Sequence, residues 1–198
     1  MKDDIVIVSA ARTPVGAFSG ALSSLPAHEL GKVAIQEALK RAGVEGGKVS
    51  EVIMGQILTA GQGQNPARQA SIAAGIPVES PAWGVNQLCG SGLRAVALGY
   101  QAILNGDSDI VVAGGQESMT NAPHLLPGSR TGHKYGTVGL LDSVAHDGLT
   151  DALSKEAMGE LTESGNGERG LERAAQDEIA AGSHQRAAQA QESGVFDA

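Results

Sequence analysis

The sequence is poor in cysteine and in aromatic residues. Its 198 residues include a single cysteine, and Phe, Trp and Tyr together make up only 3% of the chain. One cysteine rules out a disulfide within the chain and most zinc frameworks, and it favours a cytoplasmic protein. With so few aromatic side chains, a core must be built from Ala, Val, Ile and Leu, which the 41% hydrophobic content permits.

Basic residues and long hydrophobic runs are also scarce. Fourteen Lys and Arg stand against 22 Asp and Glu, giving a formal net charge of -8. This balance argues against nucleic acid or an anionic membrane as a partner. No apolar run approaches the roughly 20 residues of a membrane span, and the first residues lack the apolar stretch of a signal peptide. We therefore expect a cytoplasmic protein that binds neither nucleic acid nor membrane.

Strand-like and helix-like patterns alternate over about the first 115 residues. The strand candidates are residues 5–8, 49–58, 81–88 and 109–113, and the helix candidates are residues 26–42, 67–74 and 92–105. Ser24 and Asn65 are predicted helix caps, and Gly43 is a predicted helix stop. This order predicts a layered α/β domain with a mixed, largely parallel sheet and helices on both faces.

The pattern changes after residue 115. Residues 116–168 are rich in Gly, Ser, Thr and other polar residues. A structureless loop of this length is unusual in a compact domain, so we predict an inserted subdomain, a common place for substrate or subunit contacts. A helical pattern returns at residues 171–191 despite Gly182, and Val195 and Phe196 resemble the start of another strand.

The only cysteine, Cys89, lies where a strand pattern changes to a helical pattern. Open α/β sheets place their sites at the carboxyl ends of the strands. The free amides of a helix start can stabilise an anion, and Gly90 and Gly92 leave room for a substrate carbonyl beside the sulfur. An isolated cysteine is most often a small hydrophobic residue, but this placement favours a nucleophile.

A thiol at this position still needs a base. A free thiol has a pKa of about 8.5, so only about 3% is thiolate at pH 7, and a helix start adds typically about 0.3–1 kcal/mol. A histidine would take the proton and return it. The histidines are His28, His124, His133, His146 and His184. A structural role is expected for the first and last, the other three lie in the inserted region, and spacing singles out none of them.

Several short stretches match a known family. They are residues 10–14, 63–68, 85–92, 114–119, 121–124, 147–149, 158–159 and 176–178. The most specific are Val-Asn-Gln-Leu-Cys-Gly-Ser-Gly around Cys89 and Gly-Gly-Gln-Glu-Ser-Met at 114–119. On these motifs the chain resembles the N-terminal half of a thiolase, an acetyl-CoA acetyltransferase or 3-ketoacyl-CoA thiolase.

The resemblance implies a thiolase-like fold and divides the chain into two parts. Residues 1–118 would be the N-terminal α/β domain, and residues 119–198 part of the loop domain that covers the active site and contributes to tetramerisation. The C-terminal thiolase domain would lie outside this sequence. A homo-oligomer, either a dimer or a tetramer, is implied for the full-length enzyme.

The resemblance also assigns roles at the site. Cys89 would accept the acyl group as a thioester, with its backbone N–H as an oxyanion donor. The basic histidine, a second catalytic cysteine and a water-holding asparagine would come from the C-terminal half, so we expect these 198 residues to be inactive alone. Many thiolases carry a histidine just before the Met-Gly pair, where this chain has Ala157, and no residue is assigned to CoA binding.

The implied reaction is an acyl transfer with coenzyme A thioesters as substrates and with no cofactor or metal. Cys89 takes an acyl group from acyl-CoA, and acetyl-CoA then condenses with it, or the sequence runs in reverse as thiolysis of a 3-ketoacyl-CoA in fatty acid metabolism. Two alternatives remain open: a truncated, non-catalytic thiolase-like module, and another condensing enzyme such as a ketoacyl synthase.

Overall fold

The computed structural model describes residues 4–196, which form two compact units. The first unit extends to Gly148, and the second begins at Leu149. Residues 119–148 therefore belong to the first compact unit. The boundary predicted after residue 118 rests on the domain division of the family that the sequence resembles. The division into compact units does not test it, so it stays a prediction.

A three-stranded parallel sheet forms the centre of the first unit. Its strands are β1 (Glu51–Gly55), β2 (Ala82–Val85) and β3 (Val111–Gly115), in the order β2-β1-β3. Gly55, the last residue of β1, pairs with the last residues of β2 and β3. The carboxyl ends of all three strands therefore meet at one edge. The parallel arrangement is confirmed; β1 and β2 are shorter than predicted, and β3 lies two residues later than the predicted 109–113.

Helices cover both faces of this sheet. They are α1 (Ala27–Ala42), α2 (Pro66–Ala73) and α3 (Ser91–Asn105). On one face, Val52 and Met54 of β1 pack with Ile35 of α1 and Ala70 of α2 in a fully buried cluster. Alternate residues of a strand point to opposite faces, and Gly55 accordingly faces α3. Helices on both faces were predicted and are confirmed.

Two of the three predicted helix-end signals are confirmed. Asn65 caps α2 by accepting the Arg68 N–H at 3.0 Å, and Gly43 ends α1 with a left-handed φ of 63°. The prediction for Ser24 is wrong, because Ser24 belongs to the preceding turn and Pro26 occupies the N-cap without a side-chain hydrogen bond.

The predicted first strand at residues 5–8 does not form. The side chains of Val6, Ile7 and Val8 are 66%, 80% and 67% exposed. A strand buried on both faces needs hydrogen-bonded neighbours and cover on two sides, and no strand between residues 4 and 196 pairs with this segment. The β-branched side chains give the propensity for a strand but cannot supply the partner.

Short elements fill the rest of the first unit. The strands β4 (His124–Leu125) and β5 (Leu141–Asp142) pair antiparallel, and a π-helical turn spans Val144–Leu149. The hydroxyl of Ser143, which is 1% exposed, donates to the carbonyl of Pro123 at 2.6 Å. The predicted inserted region is therefore ordered locally rather than being one long loop.

The second unit contains α4 (Met158–Glu168) and α5 (Arg173–Glu192). The predicted last helix is confirmed as α5, which continues through Gly182. The sequence pattern missed α4 because the segment is polar and contains three glycines, which have low helix propensity. Val195 and Phe196 form a turn rather than the predicted strand start.

Among residues 4–196, no helix combines the length and the apolar character needed to cross a membrane.

Candidate active site

Cys89 lies in the turn between β2 and α3, as the sequence pattern predicts. Strand β2 ends at Val85 and helix α3 begins at Ser91, so Cys89 stands at the carboxyl edge of the parallel sheet. Its side chain is a free, exposed thiol. The amides in the first turn of α3 have no intrahelical carbonyl to bind. The location thus combines an accessible sulfur with a helix start.

A serine at the start of α3 fixes the turn. Ser91 is 5% exposed, and its Oγ accepts the N–H of Gln87 at 2.8 Å and donates to the carbonyl of Leu88 at 2.5 Å. The N–H of Gly90 also donates to the carbonyl of Gln87 at 3.1 Å. These bonds hold the backbone on both sides of Cys89, so the thiol projects from a constrained loop.

The residue before the cysteine has an unfavourable backbone conformation. Leu88 has a φ of 49°, in the left-handed region, where a non-glycine residue costs roughly 1–2 kcal/mol. The Oδ1 of Asn86 accepts the Leu88 N–H at 3.0 Å. Backbone strain of this kind persists only where the surroundings fix it, and it clusters at functional sites.

Glycines allow α3 to start directly against the sheet. A Cβ on Gly55 would lie 2.5 Å from the carbonyl carbon of Ser91, so no side chain fits at the end of β1. A Cβ on Gly92 would face Gly114 and Gly115 of β3 at 3.9 Å. Gly92, which is predicted to make room beside the sulfur, faces the sheet in the structure.

Polar side chains after β1 and β3 meet at the same edge. Gln116 donates from Nε2 to Oε1 of Gln56 at 2.9 Å, and both residues are buried. The Oε2 of Glu117 accepts the amides of Ile57 at 2.8 Å and Leu58 at 3.3 Å. Burial raises the pKa of Glu117, and its backbone hydrogen bonds offset only part of that effect.

A small cavity lies beside the turn. It has a volume of about 230 Å³ and is bordered by Ile57 and Thr59 after β1, by Val85 at the end of β2 and by Asn86 just after it. The loop after β1 and the turn that carries Cys89 therefore both contribute residues to the lining of this cavity.

The structure does not bring a histidine to the cysteine. Within residues 4–196, no histidine side chain hydrogen-bonds to Cys89. His146 pairs through Nδ1 with Oδ1 of Asp147 at 2.7 Å on the surface, and the buried Nδ1 of His28 has no partner in this part of the chain. The described residues also contain no cluster of three His, Cys, Asp or Glu side chains suited to a metal ion.

The sequence identified Cys89 but missed the side chains that hold its turn. Ser91 and Asn86 act through hydrogen bonds to neighbouring backbone, and serine and asparagine are the residues typical of such caps and turns. Their residue types could therefore have identified Ser91 and Asn86 as side chains that hold the turn. Nothing in the pattern predicted the contact between Glu117 and the loop after β1, because it joins residues 60 apart in the chain.

These features define a class of protein: an α/β domain that presents a cysteine at the carboxyl edge of a parallel sheet, at a constrained strand-to-helix turn. The sequence profile described as "Thiolase, N-terminal domain" matches residues 5–198. The chain belongs to the thiolase family, as its motifs indicated. This membership favours thiolase over the ketoacyl synthase alternative.

Curated relatives extend this result. The chain is 57% identical over 194 residues to a protein of Cupriavidus necator named acetyl-CoA acetyltransferase, covering 98% of this chain and 49% of the relative. It is 54% identical to the mouse protein named acetyl-CoA acetyltransferase, cytosolic, covering 99% of this chain and 49% of that relative. The chain thus spans about half the length of the curated relatives it matches.

Proposed function

We propose that this chain supplies the acyl-accepting half of a thiolase active site, with Cys89 as the nucleophile. The observation that carries the proposal is the exposed thiol of Cys89 at the constrained turn between β2 and α3. The names of the relatives, acetyl-CoA acetyltransferases, support acetyl-CoA and acyl-CoA as substrates.

In the first step the sulfur of Cys89 attacks the thioester carbonyl of acyl-CoA. A C–S bond forms to Cys89, the negative charge develops on the carbonyl oxygen, and the bond to the CoA sulfur then breaks. We propose that the backbone N–H of Cys89, just before the start of α3, stabilises this oxyanion. CoA leaves as a thiol after taking up the proton that Cys89 gave to a base.

In the second step the α-carbon of acetyl-CoA loses a proton and attacks the acyl-cysteine. A C–C bond forms, the bond to the Cys89 sulfur breaks, and a 3-ketoacyl-CoA is released. Thiolysis is the reverse sequence. Both steps need bases, and the family resemblance assigns them to a histidine and a cysteine in a C-terminal half. Without that half, we expect neither acylation of Cys89 by acyl-CoA nor turnover by this chain.

An exposed apolar stripe on α3 supports the need for another part of the protein. Leu93, Val96, Tyr100 and Leu104 lie on one helical face and are 77%, 37%, 50% and 42% exposed. Soluble proteins rarely leave a continuous apolar stripe uncovered. We propose that the C-terminal half of the whole protein covers this face and brings the bases to Cys89.

The remaining features of the whole protein are proposed on the same basis. A homo-oligomer, a dimer or a tetramer, and a role in fatty acid metabolism follow from the resemblance. A cytoplasmic location is supported by the single cysteine and by the word "cytosolic" in the name of the mouse relative. The substrates themselves act without a separate cofactor.

A complementation assay tests this function. The chain is mixed with acetyl-CoA, alone and together with the C-terminal half of the Cupriavidus necator relative, and acetoacetyl-CoA formation is measured. We expect turnover only in the mixture, and none when Cys89→Ala replaces the wild-type chain. Sustained turnover by the chain alone would contradict the proposal that a C-terminal half supplies the catalytic bases.

The competing candidate is a non-catalytic module. It predicts that Cys89 reacts with iodoacetamide at the rate of an ordinary exposed thiol, whereas a nucleophile beside a helix start reacts faster. An N-acetylcysteine amide measured at the same pH serves as the reference thiol.

A further inference from the structure

Side chains that follow β3 hold the backbone that follows β1. Glu117 receives hydrogen bonds from two consecutive amides, those of Ile57 and Leu58, at a single carboxyl oxygen. The neighbouring pair of buried glutamines, Gln116 and Gln56, joins the same two segments at 2.9 Å. The loop after β1 therefore takes its position from side chains beyond the end of the β1–β3 ladder.

The second oxygen of this carboxyl group is unusual. The Oε1 of Glu117 is buried and has no hydrogen-bond partner among residues 4–196. Burial raises the pKa of the group, and a perturbed carboxyl group at the edge of a site is a candidate for a functional role. The two amides require only a hydrogen-bond acceptor, which the side-chain oxygen of a glutamine would also provide.

The loop that Glu117 holds borders the turn that presents the cysteine. Ile57 and Asn86 both line the cavity of about 230 Å³. Asn86 in turn accepts the N–H of Leu88, the residue with the left-handed backbone next to Cys89. A backbone hydrogen bond joins the two segments, since the N–H of Gln56, the residue before Ile57, donates to the carbonyl of Val85 at 3.1 Å. A displacement of Ile57 would therefore be transmitted to the strained turn.

We propose that Glu117 is a positioning residue for Cys89: by holding the amides of Ile57 and Leu58, it fixes the loop that lines the cavity together with Asn86 and keeps the Cys89 turn in its strained conformation. The inference rests on the proposed function in that it treats Cys89 as the nucleophile. The Glu117 carboxyl group accepts its hydrogen bonds from the amides of Ile57 and Leu58, so its proposed effect on the sulfur is indirect.

Three substitutions separate this role from general stability. Glu117→Ala removes the hydrogen-bond acceptor. Glu117→Asp keeps the charge but shortens the side chain by one methylene group, and Glu117→Gln keeps an acceptor oxygen on a side chain of the same length. Glu51→Gln is the matched control, because Glu51 also accepts a hydrogen bond on β1, from Nε1 of Trp83 at 2.6 Å, but at the amino end of the strand.

The readouts are the rate of iodoacetamide alkylation of Cys89 and hydrogen exchange of the Ile57 and Leu58 amides. We expect Glu117→Ala to slow alkylation roughly three- to fivefold, because a relaxed turn moves the sulfur away from the helix-start amides that stabilise a thiolate. The two amides should exchange at least roughly tenfold faster. Glu117→Asp should resemble the alanine variant, whereas Glu117→Gln and Glu51→Gln should keep the wild-type values.

The alkylation assay needs no acetyl-CoA, so it separates this inference from the proposed function. Failure of acetyl-CoA to acylate wild-type Cys89 in the presence of the C-terminal half would contradict the proposed function alone. An alkylation rate in the folded Glu117→Asp or Glu117→Ala variant equal to or above the wild-type rate would overturn the positioning role. Loss of reactivity in Glu117→Gln as large as in Glu117→Ala would also overturn it, because rescue by an acceptor would have failed.

Discussion

Gly55 at the end of β1 lies directly against Ser91 at the start of α3. A Cβ built on Gly55 would come within 2.5 Å of the Ser91 carbonyl carbon and 2.7 Å of its Cβ. The helix that follows the cysteine turn is thus seated on the sheet at a point where only a hydrogen fits. Because Ser91 also holds Gln87 and Leu88, this contact connects the sheet to the candidate nucleophile.

Gly55→Ala should displace the start of α3. Inserting a methyl group against backbone forces a shift that costs typically about 1–3 kcal/mol, and we expect a loss of this size in the free energy of unfolding, measured with urea. Gly114→Ala is the control, since a Cβ there would meet no atom within 4 Å. Equal stability of the two variants would contradict the described contact.

Ser91→Ala should loosen the turn around Cys89. The substitution leaves the N–H of Gln87 without its 2.8 Å partner and removes the bond to Leu88. A typical hydrogen bond contributes about 0.5–1.5 kcal/mol, so we expect a loss of about 1–3 kcal/mol in urea unfolding for the two bonds. Ser183→Ala, at an exposed position of α5, should change the free energy of unfolding by less than about 0.5 kcal/mol.

Asn65→Ala should destabilise α2 and its attachment to β2. The side chain of Asn65 accepts the Arg68 N–H at 3.0 Å and donates to the carbonyl of Ala82 at 2.8 Å. Loss of a cap costs about 0.5–2 kcal/mol, and the backbone φ of 46° adds strain for alanine. Asn65→Asp keeps the cap acceptor and should fall between wild type and alanine in thermal unfolding; an aspartate variant as unstable as alanine would contradict this account.

The stability difference between wild type and Glu117→Gln should depend on pH. Burial raises the pKa of Glu117 above its ordinary value of 4.5, so the folded state binds this proton more tightly than the unfolded state. The resulting stabilisation is complete below the ordinary pKa and is lost as pH rises through the raised pKa. Glutamine does not titrate at this position.

Urea unfolding of both proteins across the acidic to neutral range checks this expectation. The free energy of unfolding of wild type, taken relative to Glu117→Gln, should fall as pH rises. A difference that stays constant, or that grows in favour of wild type toward neutral pH, would show that burial does not dominate the pKa of Glu117.

The sequence predicted those parts of the fold that local patterns determine. The cap at Asn65, the stop at Gly43 and the change of period around Cys89 depend on residues within a few positions of each other. The segment at residues 5–8 shows the limit of this approach: Ile7 is 80% exposed despite its strand-like neighbours. Strand formation needs a pairing partner, and local composition does not encode one.

The candidate site likewise has a part that the sequence predicted and a part that it did not. Cys89 was predicted because it is the only cysteine and lies at a change of pattern. The contact of Glu117 with Ile57 and the close approach of Gly55 to Ser91 were not predicted, since each joins residues far apart in the chain. Such pairs are determined by the register of parallel strands, which the sequence pattern leaves open.

Transfer of an acetyl group to Cys89 is the central claim, and mass spectrometry tests it most directly. The chain is incubated with acetyl-CoA together with the C-terminal half of the Cupriavidus necator relative, and its intact mass and peptide masses are measured, with Cys89→Ser as the control. The account predicts one acetyl group, located by fragmentation on Cys89 and removed by added CoA. An unmodified Cys89, or an acetyl group that persists in the Cys89→Ser chain, would contradict it.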